Sequence, residues 1–496
     1  FKKGVEFKCY ANARLPHARV VAIESDREFA LSVLQRVDEE LKRRGDMFRK
    51  LGAQDIAGYK RAGGTEPMPR SLLLIDEFQE FFVEDDTVAQ TASVLFDRIV
   101  RQGRAFGIHV LLGSQTLGGA FTLARATMGQ MVIRVALQCN EADAYLIMDE
   151  NNAAPRLLTR PGEGIYNDSA GAIEGNSPFQ VSWLNDEERD EWLHKVRVLA
   201  DSRGDRHAGP IVFEGNAPAD VRENYLLSAA LAKSATQAPV PGRMWLGAPN
   251  SIKGPTEAVF HRQSGNHLLV VGQREEVSLS LLAIGLVSLV AQYPRGGAKF
   301  VFLHNSQEGS PDARFLDQLF KLMPADVRVA QGHQLADVMN DLSDDLKSRT
   351  SGEQTNAPAV FVFIHGLHKF KKLKADDDLD FSFSSSDTGP SPASQLSTII
   401  TEGSSQGIHL IASTDTYNNV TRFLSRKLLT EFEMRLVFQM SANDSASLID
   451  TPKAANLGMH RAILHNEQAG TLETFRPYAE PDAQWLEEVG AALRGR

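Results

Sequence analysis

The sequence predicts an α/β fold built as two tandem units. Short apolar runs alternate with amphipathic stretches, several of those runs end in polar or acidic residues, and the two halves of the chain repeat each other block by block. Alternation of strand and helix is what a parallel sheet with helices on its faces requires.

Residues 5–9 (VEFKC) and 19–24 (RVVAIE) read as short strands. Ser25 and Glu28 then form a capping-box pattern, and Phe29, Val33, Val37 and Leu41 recur at helical spacing with charges on the opposite face. The run SLLLI at 71–75 reads as a buried strand, with Pro69 before it and acids after it. Residues 92–102 are helical in pattern, IHVLLGS (108–114) is a second buried strand, MVIRVAL (131–137) a third, and a helix follows from about Glu141.

Residues 200–265 are richer in Pro, Gly and Ala and carry the strand-like pieces PIVFEG and RMWLGA. They suggest a division into a first domain at 1–198, a linker and β-rich entry segment at 199–245, and a second domain at 246–496. The α/β rhythm resumes with strands at 267–272, 299–304 and 359–365 and helices at 275–293 and Gln334–Lys347. Residues 373–395 are acidic, serine-rich and contain proline, a composition unable to bury enough apolar surface to order itself, so a disordered surface loop is expected there.

The chain has 496 residues, 42% hydrophobic and 23% charged, with a formal charge of −10. That is ordinary for a globular protein of more than one domain. A strongly basic balance would have pointed to nucleic acid; an acidic one neither supports nor excludes it, because a pore can be locally basic. The two cysteines, Cys9 and Cys139, stand far apart without neighbouring ligands, which argues against a disulfide framework or a cysteine zinc site and for a reducing, cytoplasmic compartment. The longest apolar stretch, 277–293, is interrupted by Ser278, Ser280, Ser288 and Gln292 and is shorter than the ~20 residues of a span, so it reads as a buried helix. The first residue is Phe1 and no signal peptide opens the chain; an upstream region is expected, and any membrane attachment would lie there.

The internal repeat is the most informative feature. RAFGIHVLLGSQT (104–116) aligns with SSQGIHLIASTDT (404–416), and residues 131–150 align with 432–451, matching Arg134 with Arg435, Gln138 with Gln439, and Leu146-Ile147 with Leu448-Ile449. SLLLIDEFQEFF (71–82) aligns with AVFVFIHGLHKF (359–370), Asp76 falling on His365 and Phe81 on Phe370.

The segment LLLIDEF has the form of a Walker B strand, an apolar run ending in adjacent acids at the edge where open α/β sheets bind ligands. Asp76 would hold Mg²⁺ through water, because that hard cation takes carboxylate oxygen, and Glu77 would orient the attacking water. An acid pair at a strand end also arises simply because strands exit into solvent. Ser114 and Gln115 end the next strand, where polar side chains can reach a γ-phosphate or the lytic water; a turn-forming polar pair is the plainer reading. Arg101, Arg104 and Arg134 are candidates for an arginine acting on a neighbouring subunit's phosphate, against the alternative of solvated or salt-bridged arginines. Repetition of Arg134 as Arg435 favours a structural role at that position.

With DEFQEFF followed by RIVRQGRAFGIHVLLGSQT and IRVALQCNEADAYLIMDE, the chain resembles the FtsK/SpoIIIE family of hexameric motors, strongly over residues 1 to about 190 and more weakly over about 245 to 480. The stretch from LPHARVVAIES to DIAGY is also similar to that family. The resemblance implies tandem RecA-like P-loop NTPase domains with central, mostly parallel sheets. It also implies ATP and Mg²⁺ as cofactors, a homo-hexameric ring, and translocation of double-stranded DNA. The related ATPases of type VII secretion, with tandem domains, move protein instead, and a non-catalytic assembly subunit is a third reading. On this resemblance the catalytic residues are Glu77, Gln115 and Arg104, with Asp76 and Ser114 toward nucleotide and metal.

One departure matters. No GxxxxGK[ST] occurs anywhere in the 496 residues, and a phosphate cradle needs those backbone amides and that lysine; the first half's cradle is expected upstream of Phe1. In the second half Gly272 opens the corresponding position, but Val277, Ser278 and Leu279 replace Gly, Lys and Ser/Thr. Glu275 and Glu276 would repel a triphosphate, and His365-Gly366 replace the acid pair. The second half is therefore expected not to hydrolyse ATP; an unusual site built on His365 and His368 is the alternative.

Overall fold

The computed structural model describes residues 7–494, apart from 14, 24–25, 119–124, 205–208, 234, 239–240, 325–326, 353–356 and 375–389. The chain divides into two compact units, Phe1–Gly215 and Asn216–Arg496. Both are α/β, as the strand–helix alternation requires.

The strands of the first unit are β1 (Val20–Ile23), β2 (Ser71–Ile75), β3 (Ile108–Leu112), β4 (Arg134–Leu137), β5 (Glu163–Asn167), β6 (Asn176–Gln180) and β7 (Ile211–Glu214). Its helices are α1 (Lys8–Asn12), α2 (Arg27–Leu51), α3 (Ile56–Arg61), α4 (Thr87–Gln102), α5 (Arg125–Gly129), α6 (Glu141–Ile147) and α7 (Asp186–Ser202). Among the described residues its strands form three small sheets: β1 with β7, parallel; β2 with β3, parallel; and β4–β5–β6, antiparallel. Helices α2 and α4 cover one face of β2–β3 through Leu34, Leu41, Phe96 and Ile99, which with Phe81 of the turn after β2 meet Leu73, Ile75, Val110 and Leu112.

Three sequence expectations change here. Cys9, expected in a strand, lies in α1. Helix α2 begins at Arg27 with Asp26 as N-cap and no side-chain cap bond, and Ser25 lies outside the described residues. The run MVIRVAL, expected to be a buried strand, is only four residues of strand, with Val135 and Leu137 about half exposed. Of the segment expected to link the halves, α7 runs on to Ser202, β7 pairs with β1, and residues from Asn216 onward belong to the second unit.

The second unit holds β8 (Gly242–Pro249), β9 (Thr256–Phe260), β10 (Leu268–Val271), β11 (Ala298–His304), β12 (Val327–Gln331), β13 (Ala359–Ile364), β14 (Ile408–Thr414), β15 (Met434–Val437), β16 (Ala462–Asn466) and β17 (Thr471–Pro477). The helices are α8 (Tyr225–Ala232), α9 (Glu275–Gln292), α10 (Pro311–Leu322), α11 (Leu335–Thr350), α12 (Pro392–Glu402), α13 (Tyr417–Phe423), α14 (Arg426–Thr430), α15 (Ala442–Ile449) and α16 (Ala483–Arg494). All ten strands join one sheet in the order β12-β11-β13-β14-β10-β15-β16-β17-β8-β9, parallel from β12 to β15 and antiparallel beyond. Helix α9 is apolar on every side and 78% of it is buried. It is long and apolar enough to cross a membrane, but here it is the core helix, as a helix hydrophobic all round must be in a globular unit. Ser280 and Ser288 bond their own i−4 carbonyls, which satisfies both hydroxyls inside that core. The segment expected as a disordered loop, 373–395, falls largely outside the described residues, and α12 begins within it at Pro392.

The repeat is visible in the hydrogen-bond register. Ser71 pairs with Ile108 and Ile75 with Leu112 in the first unit. Val360 pairs with Ile408 and Ile364 with Ala412 in the second. Thus β2–β3 and β13–β14 are the same ladder. Arg134 Nη1 donates to the Ile147 carbonyl and Arg435 Nη1 to the Leu448 carbonyl. Ile147 therefore matches Leu448, one residue away from the match the sequence suggested.

Candidate functional site

The acid pair sits where a strand's last carbonyls give out. One step past the Ile75–Leu112 pair, Gly113 N donates to the Ile75 carbonyl and Phe78 N to the Gly113 carbonyl, so the chain after β2 folds over the end of β3. Gly113 leaves room there: a Cβ would lie 2.9 Å from Asp76 Oδ1, which would have to shift. Asp76 is half-buried, and Glu77 is 6% exposed.

Glu77 has a left-handed backbone, φ 54° and ψ 44°. A side chain in that region costs about 1–2 kcal/mol; strain of this kind is retained where it serves a site. Glu77 caps the short helical turn 78–82, whose Phe78, Phe81 and Phe82 are buried and anchor the turn against α4. Gln79 Nε2 donates to Glu77 Oε2, and Ser114 Oγ lies 2.6 Å from Gln79 Oε1. Glu77, Gln79 and Ser114 thus form one hydrogen-bonded row across the ends of β2 and β3. Just beyond, Asp143 Oδ1 accepts from Thr116 Oγ1 and Leu117 N, both at 2.9 Å, and Asn140 Nδ2 donates to Asp143 Oδ2 at 2.6 Å, so α6 ties down the loop after β3.

Asp76, Glu77, Ser114 and Gln115 are therefore brought to one sheet edge, with Gln115 exposed. Arg104 is not among them: it is exposed in the turn before β3, at the opposite end of that strand. Arg101 pairs with Asp97 at 2.7 Å. Arg134 donates to the carbonyls of Met131, Ile147 and Met148, the work of a structural clamp. Sequence reasoning missed Gln79 and Asp143. Gln79 was findable from the repeat, since its counterpart His368 meets Thr414 (Nδ1 to Oγ1, 3.4 Å) as Gln79 meets Ser114.

The donor set suits a hard cation: a carboxylate with a hydroxyl close by, at the C-terminal edge of parallel strands. The face beneath it is unusual. Leu72 (63% exposed), Leu74 (46%) and Leu111 (57%) lie on the face of β2–β3 away from α2 and α4, and Val135 (50%) and Leu137 (53%) of β4 are likewise half exposed. Through the shared register their counterparts are Phe361, Phe363, Ile411, Leu436 and Phe438, all buried in the cluster that surrounds α9. In that unit β10 runs between β14 and β15; the matching strands β3 and β4 belong to separate sheets.

At the corresponding edge of the second unit the chemistry differs. Gly366 takes the left-handed position, φ 72°, and its N–H donates to Ser413 Oγ at 2.9 Å. Glu275, the first residue of α9, binds Lys369 Nζ at 2.6 Å and faces His368 Nε2 at 3.6 Å. Burial raises the Glu275 carboxyl's affinity for a proton, but the Lys369 contact and the nearby histidines outweigh it and the net shift is downward. Burial, reinforced by Lys369, pushes His365 down to about 4.

No family model matches the chain. It is 26% identical over 220 residues to the DNA translocase FtsK of Streptococcus pneumoniae, 42% of this chain and 27% of that protein. It is 30% identical over 193 residues to the ESX-5 secretion system protein EccC5 of Mycobacterium marinum, 37% of this chain and 13% of that protein. The chain thus spans about a quarter or less of the length of these relatives. The fold is shared with the cytoplasmic domain of the Thermomonospora curvata type VII secretion ATPase EccC (TM-score 0.60, 18% identity, 100% of this chain and 58% of that one). It is shared also with ATPases 2 and 3 of EssC from Geobacillus thermodenitrificans (TM-score 0.54, 14% identity, 94% and 82%).

Proposed function

From the premise that the chain belongs to the FtsK/SpoIIIE family of P-loop ATPases, on which its relatives in sequence and its fold agree, we propose that the first unit is the hydrolysing half of an ATP-driven translocation motor. The second unit is its non-hydrolysing partner. The observation that carries this reading is Glu77, buried and strained at the end of β2, with its carboxylate held by Gln79 and Gln79 held by Ser114.

In this reading Asp76 holds Mg²⁺ through water. The ion, when bound, neutralises charge on the transferring phosphoryl group. Gln79 fixes one Glu77 oxygen, so the other is free to orient the attacking water, with Ser114 and Gln115 lining the same edge. Arg104, at the far end of β3, would serve only a neighbouring subunit's site in a ring such as a homo-hexamer.

The phosphate cradle is to be supplied by a strand entering between β3 and β4, as β10 enters between β14 and β15. A glycine–lysine turn and a helix on the bare face would follow it. Covering five half-exposed aliphatic side chains contributes on the order of 5 kcal/mol. In the second unit Glu275 stands at the cradle position and His365-Gly366 replace the acid pair, which supports the absence of hydrolysis there.

Turnover of the protein carrying that cradle tests the proposal. Glu77→Gln should lower ATP hydrolysis at least about hundredfold with ATP binding retained; unchanged turnover would overturn it. For the cargo, double-stranded DNA is the first reading. A secreted polypeptide is the second reading, supported by the EccC and EssC folds, which extend over 100% and 94% of the chain; the sequence matches to FtsK and to EccC5 cover 42% and 37% of it and favour neither cargo. Stimulation of the ATPase by duplex DNA and not by a helical export substrate decides for DNA; the opposite result decides for protein.

A further inference from the structure

The second unit's catalytic edge has lost its nucleotide chemistry, but its replacement residues are themselves a ligand set. Glu275 opens α9, Asp312 lies in the first turn of α10, and His365 follows β13 directly. Three separate segments converge at the C-terminal edge of the parallel strands. One ligand atom from each lies within 4.8 Å of the others, and among the described residues this is the only group of three or more such side chains so placed.

His365 supplies the second, independent observation. It is 1% exposed, and its Nε2 has no hydrogen-bond partner. A buried imidazole nitrogen left unpaired costs about 1–3 kcal/mol, so the position is one where a ligand would repay the deficit. The other nitrogen, Nδ1, lies 3.5 Å from Ser413 Oγ. A buried ring with a hydroxyl beside one nitrogen and no partner on the other, in a cluster with two carboxylates, is an arrangement open to a metal ion. Lys369 Nζ bonds Glu275 Oε2 and His368 Nε2 lies 3.6 Å from Oε1, so a metal would take Oε1 in place of that histidine contact.

We propose that Glu275, Asp312 and His365 bind one divalent transition-metal ion of the zinc class in the second unit, where its former nucleotide edge lies. One nitrogen and two carboxylate oxygens are the donor types of three-ligand zinc sites, with water completing the tetrahedron. Ligands around such an ion stand about 3.3 Å apart at bond lengths near 2.0–2.2 Å, so the side chains close by about an ångström on binding. This site needs no nucleotide and is independent of what the first unit does.

Chelator-treated chain, titrated with Zn²⁺ in a competition assay and with Co²⁺ by visible absorption, tests the proposal. Saturation at one ion per chain, a tetrahedral or five-coordinate Co²⁺ band and a Zn²⁺-dependent rise in Tm are expected. His365→Ala and Asp312→Asn should each weaken binding at least about tenfold, and Ser413→Ala about tenfold through the second nitrogen, whereas His194→Ala in the first unit should change nothing. Failure to saturate, or equal affinity in the His365 and Asp312 variants, would overturn it. Because metal-free His365→Ala could simply fold less well, its Tm without metal is measured alongside. The proposal stands only where affinity falls in a variant whose metal-free Tm is that of the parent or higher, and Asp312→Asn, half-exposed, supplies that case.

Discussion

Glu77 and Gly366 occupy the same left-handed position at the end of the same strand ladder, one with φ 54° and the other with φ 72°. The backbone bend is common to the two units while the side chain on it differs. In the second unit the position is glycine, which adopts that conformation without penalty; in the first a buried carboxylate bears the strain.

Opposite stability changes should follow. Glu77→Gly is expected to leave the first unit as stable as before or up to about 1 kcal/mol more stable, because relief of strain offsets the lost Gln79 bond. Gly366→Ala is expected to destabilise the second unit by about 1–2 kcal/mol. Urea unfolding of each variant measures both, and equal signs would contradict the account.

A second pair behaves alike. Arg44 and Arg349 are 1% and 5% exposed; each bonds the acid one turn earlier, Glu40 or Asp345, and each donates Nη1 to a carbonyl before the central strand, Phe106 or Gln406. Hydrogen bonds from Arg43 and Arg44, opposed by burial, hold Glu40 down at about 2. Removing one partner of a buried ion pair costs about 3–5 kcal/mol, so Arg44→Ala and Arg349→Ala should each lower Tm by several degrees, with Arg→Lys only partly restoring it because the forked geometry is lost. Calorimetry checks both.

Acid should weaken the second unit through its histidines. Burial lowers His267 to about 3 and His365 and His409 to about 4. The His267 and His409 rings are also fixed by backbone bonds to Ile400, Leu410 and Asn266. A folded pKa below the unfolded value means the unfolded chain takes up protons first. Their stabilising contribution is therefore fully present above about pH 6.5 and is lost progressively as pH falls toward 4 and 3. The slope should approach three protons near pH 5. Denaturant midpoints between pH 7.5 and 4.5 measure it, and His267→Gln should flatten the curve.

The bare face makes a surface prediction. Trp485 is 5% exposed and packs beside α10, while Trp192, at the matching place in the sequence EWL against QWL, is 56% exposed. Trp192→Ser should therefore change stability by no more than about 0.5 kcal/mol and Trp485→Ala should cost about 3–5 kcal/mol. Replacing Leu72, Leu74 and Leu111 by Ser should reduce dye binding and self-association of these 496 residues without loss of Tm, since exposed apolar patches drive both. Light scattering and thermal melts check this.

The α/β class, the ladder positions of β2, β3, β13 and β14, and the assembly of Asp76, Glu77, Ser114 and Gln115 at one edge were legible because each is a local pattern: an apolar run and the polar residue that ends it. The buried status of SLLLI, IHVLLGS and MVIRVAL was misread because apolar composition reports what covers a strand in its finished sheet, and here one face of β2, β3 and β4 is uncovered. VEFKC alternates like a strand, yet Cys9 is helical, since five residues carry too little period to decide. The bonds of Gln79 and Asp143 were hidden because they join residues 26 to 35 positions apart. The acid–arginine spacing of Glu40–Arg44 and Asp345–Arg349 was readable but conveys burial only once the helices pack.

Helix α9 leaves the ribosome well before the strands that enclose it. β13, β14, β15 and then residues as late as Leu493 complete its surroundings, and at the usual 5–20 residues per second that interval is about 10 to 40 seconds. Throughout it an 18-residue segment with the length and hydropathy of a membrane span lacks part of its cover. Synthesis of this protein should therefore depend on a chaperone that shields nascent apolar helices, and slowing elongation after Gln292 should divert more of the product to aggregates or to the membrane.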